Sequence, residues 1–409
     1  MPEFILMKIC LSPTLDKILK NLKYSVLGLS LFIVFNAFAI QKACAEANIK
    51  ATAEKQLVIH EVEHLSKVLT LDRIYKSMEG PTDNQNFRFV ESDTSELIWL
   101  VGMEVDIVGE DGKTSQAPSF LCHTNVSFDS TKLNSKTRRE VFGLSPKHVL
   151  DYKFIDMVQG HNKIDFPKHF GVPLLSNEPF KLSSMVMNWE QRDKPIGVMV
   201  KMIAKYVYDR DFDEDMIPLL RKGSALQVPI KKNKTGKTAG ADSDHAGCAT
   251  EMKNEDDGEL FQSASDANLI KHKDGEIFSY HWFVPPGRHV YRYTLDYGLR
   301  IPWDTTLHVI VPHVHVYATY IELRDLTENK SLFKGKSQNF KNNLGLESLD
   351  HYSSEQGIPV YKDHQYEIVT EYNNPTKNDI DAMAMMYMYF RDKEFDKKKM
   401  NYSLIPKID

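Results

Sequence analysis

Leu307-His308-Val309-Ile310-Val311-Pro312-His313-Val314-His315 is the stretch whose reading decides this fold. Aliphatic and β-branched residues dominate it, as they do in strands. Its last two histidines stand two apart, a spacing that on a strand turns both imidazoles to one side, where they can converge on one ion. Far downstream, Asp381-Ala382-Met383-Ala384-Met385-Met386-Tyr387-Met388-Tyr389 reads as a second strand, rich in thioethers. His313, His315 and Met383 together form a soft nitrogen-and-sulfur donor set that suits copper better than magnesium or calcium. The competing reading makes the histidines ordinary strand residues and Met383, Met385, Met386 and Met388 core filling.

Outward from these segments the chain keeps the same grammar. Between Glu54 and Asp211, short apolar runs alternate with turn signals: Leu97 to Val108 precedes Gly109-Glu110-Asp111-Gly112, and Leu182 to Trp189 and Ile196 to Ile203 follow. Short strands without long 3.6-period segments predict an antiparallel sandwich. Lys231-Lys232-Asn233-Lys234-Thr235-Gly236-Lys237 then turns polar, as a linker does. A second strand-rich block follows, with Tyr280-His281-Trp282-Phe283-Val284 and the turn Pro285-Pro286-Gly287-Arg288. The expectation is an all-β protein with two antiparallel β-sandwich, jelly-roll-like domains in tandem. They occupy 48–211 and 259–395, with a polar connector over 212–258 and a loosely held charged tail over 396–409.

At 409 residues, with 42% hydrophobic and 11% aromatic content, the chain can build sizeable cores. A net charge of -5 and the lack of a basic stripe argue against a nucleic-acid partner. Lys8, Lys17, Lys20 and Lys23 precede an apolar run from Val26 to Ile40 that ends in Ala43-Cys44-Ala45-Glu46-Ala47. That pattern predicts a signal segment over 1–47 and a periplasmic or secreted protein, membrane-anchored if the segment is not cleaved. Cleavage would leave Cys122 and Cys248, which an oxidising compartment would pair; a thiolate metal site beside His123 and His245 is the rival.

The second block resembles the C-terminal domain of the copper type II, ascorbate-dependent monooxygenases, the family of peptidylglycine α-hydroxylating monooxygenase and dopamine β-monooxygenase. Val284-Pro285-Pro286-Gly287-Arg288 resembles the family's Pro-Pro-Gly turn, and Tyr297 to Val314 its approach to the H-x-H strand. Val360 to Ile368 resembles the strand before its last loop, and Asp381 to Tyr389 the strand whose first methionine completes the oxygen-binding copper site. The resemblance implies copper at His313, His315 and Met383, activation of O2, a small-molecule substrate, and ascorbate or another reductant as co-substrate. It also implies a substrate-site role for Tyr387.

The first block resembles the family's N-terminal domain more faintly, through Asp165 to Pro173 and Ser119 to Val126. Where the family carries a histidine pair for a second, electron-supplying copper, this chain has Cys122 and His123, and Asn188 stands in the place of the third histidine. His123 could therefore contribute only to a second copper site that lacks two of the family's three histidines. The arginine that clamps a peptide carboxylate is replaced by Val311, which argues against a peptidylglycine substrate. A non-catalytic copper- or ligand-binding module on the same scaffold is the alternative.

His60-Glu61-Val62-Glu63-His64 matches the zincin H-E-x-x-H pattern, whose chemistry requires a helix. Its flanks suit a strand equally well, and no third ligand follows. His281 and His289, flanking the Pro-Pro-Gly turn, read as structural histidines. His308 reads as facing away from His313 by parity, and Asp242, Asp244 and His245 read as a solvated loop.

Overall fold

The all-β expectation holds. A computed structural model describes residues 58–75, 79–148, 151–190, 194–211, 215–230, 269–271, 276–295, 302–341 and 344–405, all within the compact unit Val58–Asp409. Strands β1 (His60–Leu65), β2 (Leu69–Leu71), β3 (Thr82–Phe87), β4 (Leu97–Gly109) and β5 (Leu121–Phe128) precede α1 (Ser135–Val141), the one α-helix among the described residues. There follow β6 (Lys153–Val158), β7 (Lys163–Asp165), β8 (Phe170–Leu175), β9 (Phe180–Val186), β10 (Ile196–Tyr208), β11 (Ile217–Ala225) and β12 (Val228–Ile230). The later part holds β13 (Leu269–Lys271), β14 (Ile277–Ser279), β15 (Trp282–Val284), β16 (Gly287–Thr294), β17 (Thr305–Val314) and β18 (Ala318–Asp325). It closes with β19 (Lys330–Asn339), β20 (Leu346–Leu349), β21 (Tyr352–Val360), β22 (Tyr366–Asn374), β23 (Ile380–Ala382) and β24 (Ala384–Arg391).

A ten-stranded sheet runs in the order β1-β10-β4-β8-β11-β24-β17-β21, with β2 and β7 joined to β10 and β4. A four-stranded sheet (β3-β9-β5-β6) shares one core with it through Phe87, Val126, Phe154 and Phe180. A five-stranded sheet (β16-β22-β18-β19-β20) shares the other through Tyr291, Ile321 and Ile368. The strands β17 and β24 have a place in both. Val309, Val311, Tyr387 and Tyr389 face the first core, while Ile310, Val314, Met386, Met388 and Phe390 face the second. A strand covered on both sides needs apolar residues at every position, which is why 384–390 shows no polar alternation.

Two boundaries differ from the sequence reading. The stretch from 212, read as connector, contributes β11 to the middle of the large sheet. There β11 pairs antiparallel with β24 from Leu219↔Arg391 to Ala225↔Met385 and parallel with β8 at Ile217↔Phe170, so one sheet runs through both strand-rich blocks. Pro218, Arg221, Lys222 and Gly223 disguise it, because they are poor strand residues unless tertiary partners are supplied. The tail is not loosely held either. The Asn401 N–H donates to the Val141 carbonyl (2.7 Å), Lys397 pairs with Asp215 (2.9 Å) and Asp209 (3.2 Å), and Met400 and Ile405 pack on Val141 and Phe142. No helix among the described residues is long and apolar enough to cross a membrane, and the signal segment lies outside them.

The turn after β6 meets the second block. The Gln159 amide donates to the Ser119 carbonyl (2.8 Å) and accepts from the Leu346 N–H (3.0 Å). Beside it, His161 is buried with its ring 4.6 Å from that of His351. Burial, and then the nearby His351, push the His161 imidazole from 6.5 down to about 4. The unfolded chain therefore takes up this proton first as pH falls. The stability that neutral His161 contributes is complete above pH 6.5 and is lost as pH drops toward 4, at a cost of roughly 2–3 kcal/mol. Urea unfolding of wild type and His161→Gln at pH 7 and pH 4.5 checks this: the variant should lose less between the two pH values by about that amount. Parallel losses would refute it.

Candidate metal centre

The site forms where the short ribbon β15–β23 meets the end of β17. In that ribbon Trp282 opposes Ala382 and Phe283 opposes Asp381. The large indole and the small Ala382 are both fully buried, so a bulky side chain is accommodated opposite a minimal one. Asn374 pins the edge by donating to the Val284 carbonyl (3.0 Å). This pairing carries His281 to Asp381, a hundred residues away in sequence, with Nδ1 and Oδ1 3.2 Å apart. His315, one residue past β17, brings its own Nδ1 to 3.1 Å from the other carboxylate oxygen, Oδ2.

Three imidazoles therefore stand in a row. The ring centres of His281 and His315 are 5.2 Å apart, and those of His313 and His315 are 5.4 Å apart. One donor atom from each of His281, His315 and Asp381 lies within 4.8 Å of the others, a spacing that could hold a metal ion. The hydroxyl of the fully buried Tyr372, on β22, ties the row to the methionine. It accepts from the His315 N–H (3.0 Å) and donates to the Met383 carbonyl (2.6 Å). Met383 itself is half-buried in the break between β23 and β24.

Electrostatics keep the site ready for a cation. Burial alone would raise the Asp381 carboxyl, but His315 and His281 overcome it and hold the group far below the usual carboxylate range, hence ionised. His313 is pushed well below an ordinary histidine, first by burial and then by His315, His123 and His281. It is therefore neutral and keeps a lone pair to donate. Two dry nitrogens have no hydrogen-bond partner, Nδ1 of His313 and Nε2 of His281. Buried ring nitrogens without a hydrogen-bond partner also occur at His60, His64, His148 and His161, so it is the grouping of these two on either side of His315 that suggests an ion.

The other residues singled out from sequence divide in two groups. His123, on β5 opposite Met185 and Val158, lies within electrostatic reach of His313 and is itself lowered to about 4 by burial and then by Lys153. Its neighbour Cys122 is buried, and Cys248 lies outside the described residues, as do Asp242, Asp244 and His245. On β24, Met385 is the residue opposite His313. Tyr387 sits in the first core with its hydroxyl 3.8 Å from the Met385 sulfur and the Arg221 guanidinium over its ring. Asn188 holds local backbone, donating to the carbonyls of Arg73 and Glu190 (both 2.8 Å).

The H-E-x-x-H pattern is strand β1, not helix. Four residues along a strand separate His60 and His64 by about 13 Å, too far to share an ion. His60 instead lies against Tyr206 and Tyr208, and His64 against Phe87. His308 sits at a β-bulge, bonded to the Thr306 hydroxyl (2.6 Å) and the Ser354 carbonyl (2.9 Å). His289 meets the Pro286 carbonyl (3.2 Å).

From sequence alone His281 reads as a structural group and Asp381 carries no assigned role. The one local signal was that Asp381 opens the Asp-Ala-Met segment; the pairing that brings His281 to it is long-range.

No family model and no curated protein matches this chain. Solved structures with a similar layout include the major capsid protein P2 of bacteriophage PM2, at 9% identity and TM-score 0.29 over 82% of this chain and all of that one. Another is PNGase F, a glycosylasparaginase from Flavobacterium meningosepticum, at 7% identity and TM-score 0.27 over 83% and 98% of the two chains. Sulfolobus turreted icosahedral virus gives a third, at 8% identity and TM-score 0.28 over 85% and 94%. Likenesses this low bring neither activity nor ligand to the present chain.

Proposed function

We propose that this protein is an extracytoplasmic, copper-dependent monooxygenase-like protein that holds one copper through His313, His315 and Met383. The observation that carries the reading is the dry, partnerless Nδ1 of a neutral His313 beside the ring of His315. Copper bound there would supply one-electron redox chemistry and O2 activation, with ascorbate or a similar reductant and a small organic substrate. The chain's own part is to keep the His313 imidazole unprotonated, to fix the His315 and Met383 backbone through Tyr372, and to offset the ion's charge with Asp381. His123 could serve a second copper.

One observation favours a non-catalytic copper-binding module instead. Asn188, where the resembled family has a ligand histidine, spends both amide N–H groups on the carbonyls of Arg73 and Glu190. A second copper would lack that donor.

Elemental analysis of protein loaded with copper tests the reading. Wild type should retain a single copper per chain and His313→Ala/His315→Ala none; an empty wild type overturns it. Ascorbate-driven oxygen consumption above that of the double variant would support the oxygenase. Copper without such consumption would leave the binding module.

A further inference from the structure

We infer that His281 is a third imidazole ligand to the same ion, with Asp381 as the carboxylate that positions His281 and His315. This rests on the copper reading above and adds to it two residues that the H-x-H and methionine strands do not contain. His281 is 2% exposed, and its Nδ1 lies 3.2 Å from Asp381 Oδ1. A carboxylate oxygen at that distance is met by a ring N–H, so Nδ1 is the donor and a neutral His281 ring carries its lone pair on Nε2. The same Nε2 is buried without a hydrogen-bond partner, and the imidazole ring of His315 is 5.2 Å from that of His281.

His308 satisfies both ring nitrogens with Thr306 and Ser354, whereas His148 pairs one with Asp392 and leaves the other without a partner, so a bare nitrogen alone does not mark a ligand. What sets His281 apart is its place in the row, its ring 5.2 Å from that of His315, which is 5.4 Å from that of His313. Asp381 explains the arrangement. Carboxylates behind metal-binding imidazoles fix ring orientation and tautomer and raise basicity, and here one carboxylate serves two rings. The carboxylate also supplies negative charge that a thioether and neutral imidazoles lack. The protein would thus present a nitrogen-rich face of His281, His313 and His315, with Met383 as a weaker sulfur donor.

Pulsed electron paramagnetic resonance of the wild-type Cu(II) protein counts the coordinated imidazoles directly, before any variant is made. Three are expected; two would overturn the inference and leave the His313/His315 reading standing. Copper titration of wild type, His281→Gln, Asp381→Asn and Met383→Leu gives the second arm, with near-UV circular dichroism of each apoprotein confirming the fold. His281→Gln should lose one imidazole signal and bind copper at least tenfold more weakly. Asp381→Asn should weaken binding about 10–100-fold while keeping all three signals. Unchanged affinity in both variants would sink the inference. Failure of wild type to bind copper at all would sink the copper reading with it.

Discussion

Replacing Arg221 with methionine is expected to lower the unfolding free energy by about 3–5 kcal/mol, the cost of stranding buried charges. Arg221 lies on β11, 6% exposed, with its guanidinium bonded to Asp151 (2.5 Å) and to Asp156. Asp156 belongs to β6 and is 2% exposed, so this contact pins the four-stranded sheet to the middle of the large one. Asp151 also accepts from the Gly223 N–H (3.1 Å), and the guanidinium lies over the Tyr387 ring. Methionine matches the apolar stem but leaves the buried Asp156 carboxylate beside the partly exposed Asp151 without the guanidinium that joined them. Protonating or neutralising one of them is the available relief, so Arg221→Met/Asp156→Asn should recover part of the loss. Urea unfolding at pH 7 measures both. A loss under about 1 kcal/mol would mean the cluster behaves as an exposed ion pair does.

Tyr372→Phe should be nearly as damaging, although it removes a single oxygen. The hydroxyl accepts from the His315 N–H and donates to the Met383 carbonyl in a fully buried setting. Without it both backbone groups lose this partner where water cannot replace it, at about 1–3 kcal/mol each, so a total of about 2–6 kcal/mol is expected. The same change frees the chain on either side of the site, and copper affinity should fall by at least tenfold, as for other supporting groups. Chemical unfolding and copper titration on one preparation check the two effects together. A variant as stable as wild type that binds copper as tightly would show that Tyr372 holds neither segment.

How much of this was legible beforehand depends on the range of the interaction. The strand class was plain because β-branched and aromatic runs between turn signals are local features. The H-x-H spacing was legible for the same reason: two residues along a strand share a side whatever surrounds it. His60 to His64 marks the limit of such reading, because its pattern fits helix or strand and only pairing with β10 decides between them.

The site's wider membership was not legible. His281 and Asp381 meet because β15 pairs with β23 across a hundred residues, and nothing in either segment names the other. Arg221 likewise made β11 look like linker, since a charged residue in a central strand is tolerable only where Asp151 and Asp156 receive it. The sequence by itself determined that the chain is built of strands and turns and that His313 and His315 share a side. Tertiary structure decided which buried charges find partners, which nitrogens are left without one, and therefore where an ion could sit. Local chemistry sets how a segment folds, whereas burial and long-range pairing set what its polar atoms must do once water is gone.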